Sequence, residues 1–232
     1  MIQIIFKINY GDDANNFVRL AKLVAHPFGS DINKIVADIP LDLLVKLREL
    51  DRPAAKEAAE QYLLSIKDKI LPELEIKKEI LEKYFDQYGV KIFTILSKLV
   101  GKEIYTDKFY CSFTLLGSAP YNYKNNWFMV SCKRPLANQV NGILHEILHL
   151  QFHHDYEEYC KEQGLSEQQF QDLKEALTFL LNEPVFAEFS FGPDRGYINH
   201  QKLRQLLKEL YDQDHDFKKF LDKAIKLVRE AY

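Results

Sequence analysis

The stretch with the clearest chemical capacity is His145-Glu146-Ile147-Leu148-His149. Residues four apart on a helix lie one above the other on the same face. Two imidazoles at that spacing can grip one metal ion from one side. Glu146 stands about 100° further round the helix, beside that ion, where it could take a proton from a water that the ion polarises. Histidines one or two residues apart would splay, so the chemistry itself asks for the H-E-x-x-H spacing.

The flanks predict a helix that can carry this site. Pro135 marks its approach. Leu136, Val140, Ile143, Leu144, Ile147 and Leu150 recur at helical spacing on the side away from the histidines. Asn138, Asn141, Gly142, His145, Glu146 and His149 fill the opposite side. Gly142 keeps that face open one turn before Glu146, where a large side chain would crowd an ion.

The segment resembles the active-site helix of the zincin metallopeptidases. The resemblance implies that His145 and His149 are zinc ligands, that Glu146 is the catalytic general base, and that a third ligand lies further along the chain. In the gluzincin branch that ligand is a glutamate on the next helix. Glu175 is the preferred candidate, 26 residues beyond His149, with Thr178 and Asn182 on its face as partners that could orient the ligands. Glu183, in Leu181-Asn182-Glu183, is the alternative, although Pro184 follows at once. A metzincin-like arrangement would use Asp155, but Phe152 stands where that pattern has a glycine, and both methionines precede the motif. His153 would lie about 12 Å along a straight helix from His145, too far to share one small ion. For a donor to a developing oxyanion, His200 is the candidate catalytic residue, with Tyr197 beside it after the Gly192–Gly196 loop.

These residues need a scaffold, and composition bounds it. The chain has 232 residues, 47% of them hydrophobic, enough to bury a sizeable core. A net charge of −3 with mixed signs argues against nucleic acid or an anionic membrane as partner. Cys111, Cys132 and Cys160 form no C-x-x-C pair and no disulfide framework, which fits a reducing, cytoplasmic setting. The N-terminal Met1–Lys7 reads as a strand rather than a signal peptide, and no stretch has the length of a membrane span.

Taken in order, Ile2 to Tyr10 reads as a strand ending at Gly11-Asp12-Asp13. A helix over 13–25, with Phe17, Leu20, Ala21 and Val24 inward, is ended by Pro27 and Gly29. Short helices over 31–38 and 41–50 follow. Pro53 opens a long helical region that Pro72 interrupts, with Gly89 and Gly101 as helix ends. After Gly101, Phe109–Leu116 and Trp127–Cys132 are short strands around a turn-rich loop. The resemblance implies that the strand Trp127–Cys132 is a cleft edge on which an extended substrate pairs. Ser166-Glu167-Gln168-Gln169 forms a capping box for a helix reaching about Asn182. Helices over 200–211 and 214–232 close the chain. The expected fold is thus α+β and mostly helical. It is a single zincin-like domain over 1–232, with a helical part over 1–101 and the hairpin, motif helix and later helices over 102–232, the small sheet packing on the motif helix.

The expected function is a zinc-dependent peptidase acting on a peptide or protein substrate. The alternative is a catalytically silent zincin-fold domain that binds metal or a protein partner.

Overall fold

The computed structural model describes residues 2–24 and 31–231. The chain is mostly helical with a small four-stranded mixed sheet, an α+β architecture. Among the described residues, no helix is long and apolar enough to cross a membrane. The chain divides into two compact units, residues 4–86 with 108–139, and residues 1–3 with 87–107 and 140–232.

The first of these units holds the sheet. Its strands are β1 (Gln3–Lys7), β2 (Lys108–Thr114), β3 (Tyr121–Asn122) and β4 (Trp127–Ser131), in the order β1-β2-β4-β3. β2 and β4 pair in parallel, with Ser112 opposite Met129, whereas the two-residue β3 runs antiparallel to β4. Residues 111–114 and 128–131 are buried on both faces, as expected for parallel strands covered on both sides. This corrects two expectations. The two longer strands do not form a hairpin, and Trp127–Ser131 is not an edge strand, because β3 and the Pro120 carbonyl occupy its other side at residues 127–129.

The helices of this unit are α1 (Tyr10–Ala21), α2 (Ile32–Val36), α3 (Leu41–Glu49) and α4 (Arg52–Ser65). Asn9 caps α1 by accepting from the Gly11 and Asp12 amides, so the Gly11-Asp12-Asp13 run expected to be a turn is the first turn of a helix. The Asp12 and Asp13 carboxylates also suit that end of the helix dipole. α1 ends at Ala21, Val24 is 91% exposed rather than inward, and Pro27 and Gly29 lie outside the described residues. Asp51 caps α4 ahead of Pro53 by accepting from the Ala54 amide. Ala55, Ala58 and Ala59 on α4 are small enough to let Ala14, Phe17 and Leu20 of α1 approach closely, and with Leu43, Leu44 and Leu47 they form the core.

A long helix, α5, runs Lys67–Val100 without a break at Pro72 or Gly89. The interruption falls before it, at Ile66, the C-cap of α4. Gly101, at φ +66°, is the end that its residue type predicts.

The second unit is built on α6 (Leu136–Glu162), the helix that carries the motif. From Ile147 to His153 this helix is buried all round, so its middle is not a two-faced surface helix. Its end is a Schellman turn. Gly164 takes φ +89°, its amide bonds the Lys161 carbonyl, and the Leu165 amide reaches back to Cys160. Ser166 and Gln169 then form the capping box of α7 (Glu167–Ala176), each side chain accepting from the other's amide. α7 tightens into a 3-10 turn over Leu177–Asn182 rather than continuing as α-helix. α8 (Gln201–Gln213) and α9 (Phe217–Ala231) complete the unit. Phe152 stacks on Phe170 at 5.5 Å, and Phe179, Tyr211 and Phe220 pack edge to face, joining the helices through buried aromatic rings.

Candidate metal centre

His145 and His149 rise from α6 one turn apart, with ring centroids 4.3 Å apart and planes at 73°. The Schellman turn and the capping box reverse the chain so that α7 brings Glu175 to them. Glu175 Oε2 lies 3.2 Å from His149 Nε2 and 3.7 Å from His145 Nε2. One ligand atom from each of the three residues falls within 4.8 Å of the other two, so this group could hold a metal ion. Among the described residues, no fourth histidine, cysteine or acid joins it. His149 and Glu175 are buried, whereas the His145 side chain is 19% exposed.

The donor atoms are oriented by a brace behind them. Asp194 accepts from His145 Nδ1 at 2.7 Å, which directs Nε2 toward Glu175. Asp194 is itself fixed at every polar atom. The Thr178 hydroxyl donates to Oδ1 at 2.8 Å, and the Arg204 guanidinium sits 3.1 Å from the same oxygen. Arg204 also donates to Thr178 and to the Asp194 carbonyl. Asn182 clasps the Asp194 backbone on both sides, donating to its carbonyl at 2.9 Å and accepting from its amide at 2.7 Å. Asn141, one turn before His145, holds the preceding loop through the Gly192 carbonyl and the Phe191 amide.

On the far side of Glu175 stands Lys174, 2% exposed, with its Nζ 3.0 Å from Oε1. The two carboxylate oxygens therefore face different neighbours, Oε2 the imidazoles and Oε1 the ammonium.

Electrostatics follow from this arrangement. Burial opposes the Glu175 anion, but His149, His145 and the Lys174 ammonium reverse that and hold the carboxyl well below its ordinary range. Burial also pushes His149 down to about 3, which keeps it a neutral imidazole with a lone pair to offer. Burial would lower His145 too, yet the Asp194 carboxylate, with Glu175 and Glu146, pushes it up to about 10. A cation at the convergence of the Nε2 atoms would take the place of that proton. Two imidazoles and one carboxylate are a donor set that suits a tetrahedral ion with one position left open.

Glu146 projects from the same turn of α6, partly exposed, and its charge acts on His145. The other sequence candidates lie outside the three-residue group. Glu183 sits 3.4 Å from Lys208. His153 Nδ1 pairs with Glu157 at 2.8 Å. Asp155 bonds Gln151. His200 is buried and pairs with Asp172 of α7 at 3.0 Å, and the Tyr197 ring meets it edge to face at 5.9 Å. Sequence reasoning passed over Asp194, Arg204 and Lys174. The acid between Pro193 and Gly196, in a loop following the Glu175 helix, was the one available signal for Asp194. Thr178 and Asn182 do act from the Glu175 edge, but through Asp194.

Compared with known protein families, with curated proteins and with solved structures, the chain has no match.

Proposed function

We propose that this protein is a zinc-dependent metallopeptidase of the gluzincin kind, with His145, His149 and Glu175 as ligands and Glu146 as general base. The observation that carries the reading is the convergence of three N and O donors, with no fourth among the described residues, beside a glutamate on the same helix turn. A structural zinc site closes with four protein ligands, whereas a hydrolytic one uses three and keeps a place for water. Zinc at such a site supplies Lewis acidity that polarises a water and the scissile carbonyl.

The chain's own residues do the rest. Glu146 accepts a proton from the attacking water as its oxygen bonds to the carbonyl carbon. It then hands the proton to the departing nitrogen as the C–N bond breaks, leaving an acid and an amine. Asp194 keeps the His145 ring turned toward the site, so the reacting groups meet without reorganisation. The resemblance of the H-E-x-x-H helix to zincins supports a peptide or protein as the substrate.

The test is metal content and turnover together. Purified protein is expected to carry about one zinc per chain. Glu146→Gln should keep the metal and lose hydrolysis of a broad peptide library by roughly 10²–10⁴-fold. An equally active variant would overturn the assignment of the base. A zinc-loaded wild type inert toward the library would instead favour a silent metal-binding domain.

A further inference from the structure

Lys174 has no part in the reaction just described, yet it is the least expected side chain near the site. Lysine is seldom fully buried, because desolvating an ammonium is costly unless a partner compensates it. Here the side chain is 2% exposed, and its Nζ lies 3.0 Å from Glu175 Oε1. The flexible stem of a lysine places a point charge at one oxygen, where the arginine fork would engage both. The consequence is a division of labour within one carboxylate, since Oε2 faces His145 and His149 while Oε1 is held by Lys174.

From this geometry we infer that Lys174 is a positioning residue that restricts Glu175 to a single donor oxygen and thereby selects a tetrahedral ion. The inference rests on the metal-site reading above and deepens it. A carboxylate free at both oxygens can close on an ion with two bonds, raising the coordination number and filling the open position. With Oε1 engaged, the protein supplies three bonds and leaves the fourth place vacant for water. Ions that favour four ligands, such as zinc and cobalt(II), fit that set. Manganese(II), which favours more oxygen ligands, fits it poorly.

The experiment compares wild type, Lys174→Met and Lys174→Gln, loaded with cobalt(II) and titrated with zinc and manganese(II). Methionine keeps the apolar stem and removes the donor, and glutamine offers a neutral donor to Oε1. Both ions carry the same charge, so loss of the ammonium charge cancels in their affinity ratio. In Lys174→Met the zinc-to-manganese preference is expected to fall roughly tenfold. The visible cobalt absorption should weaken as a further oxygen joins the ion. Lys174→Gln should keep the wild-type spectrum. If Lys174→Met does not fold, Lys174→Leu, which also keeps an apolar stem without a donor, carries the test and is expected to show the same roughly tenfold fall in the ratio. An unchanged spectrum and ratio in the donor-free variant would overturn the inference while leaving the metal site standing. A wild type that takes up neither zinc nor cobalt would overturn the metal-site reading itself.

Discussion

Asp13 and Glu175 are carboxylates of nearly equal burial, 4% and 5% exposed, in different units of the chain, and their proton affinities move in opposite directions. Burial raises both, because it disfavours the anion. What differs is the company. Asp13 accepts from the Thr114 hydroxyl and the Leu115 amide, neutral donors that lower its pKa less than burial raises it. The nearby Lys133 ammonium is itself paired with Asp38 at 2.7 Å, and Asp12 adds a like charge. The result is a pKa pushed up to about 6. Glu175 faces an ammonium and two imidazoles instead, and remains an anion. A closed network of neutral hydrogen bonds makes a structural joint, whereas an anion held among convergent nitrogen atoms makes a place for a cation.

Removing one member of the pair should break this contrast most visibly at the candidate metal centre. Glu175→Ala takes away one of three donors and leaves the Lys174 ammonium facing the site. Zinc affinity is expected to fall by more than ~100-fold, beyond the cost of losing an orienting partner. Glu183→Ala, whose acid sits beside Lys208, should bind zinc nearly as wild type does. Metal titration on folded protein, with circular dichroism as the control, separates the two. The reverse result would transfer the ligand role to Glu183.

The second prediction tests Asp13. Its folded pKa lies above its unfolded value, so between about pH 4 and 6 the folded state keeps a proton that the unfolded chain releases. The stability that Asp13 contributes is therefore complete below pH 4 and is lost as pH rises through 6. The difference between an ordinary value of 3.8 and one of about 6 corresponds to roughly 3 kcal/mol. Asp13→Asn removes the titration. The unfolding free energy of wild type relative to this variant should fall by most of that amount, about 2 kcal/mol, from pH 4 to pH 7. Urea unfolding at both pH values measures it, and parallel behaviour of the two proteins would show that Asp13 is already ionised at pH 4.

The sequence made parts of this legible and hid others for identifiable reasons. Signals that act within one turn read correctly, including the His145 and His149 spacing, the Ser166–Gln169 box, Pro53 in a first turn, and Gly101 with positive φ. Signals of local helix breaking misled. Gly89 and Pro72 stand inside α5, where buried Leu74, Leu81, Phe85, Ile92, Phe93 and Leu96 outweigh their local cost. The β2–β4 pairing was invisible because a parallel partner is set by tertiary placement, and the loop between the strands looks like any hairpin connection. Asp194 was hidden for a similar reason. Its role exists only when Thr178 and Asn182 of the 3-10 turn and Arg204 of α8 gather round it.

That gathering depends on one glycine, and the smallest of the expected effects follows from it. Gly196 has φ +59°, and a Cβ there would stand 2.7 Å from Arg204 Nη1 and 2.9 Å from its Cδ. Gly196→Ala therefore meets two penalties, left-handed backbone strain of roughly 1–2 kcal/mol and a clash with a guanidinium that is 6% exposed. The clash is relieved by moving Arg204 away from Asp194 and Thr178, which loosens the carboxylate that turns His145. Zinc affinity should drop roughly tenfold, the low end for an orienting partner. Gly89→Ala is the matched control. Its Cβ would meet Phe93 at an ordinary 3.7 Å within a helix, so it should leave zinc binding unchanged and be neutral or stabilising by up to about 1 kcal/mol. Isothermal titration with zinc on both variants, alongside thermal melts of the metal-free proteins, reads the two effects separately. If Gly196→Ala melts early but binds zinc like wild type, then the glycine serves only the backbone, and the Arg204–Asp194 brace does not set the His145 ligand.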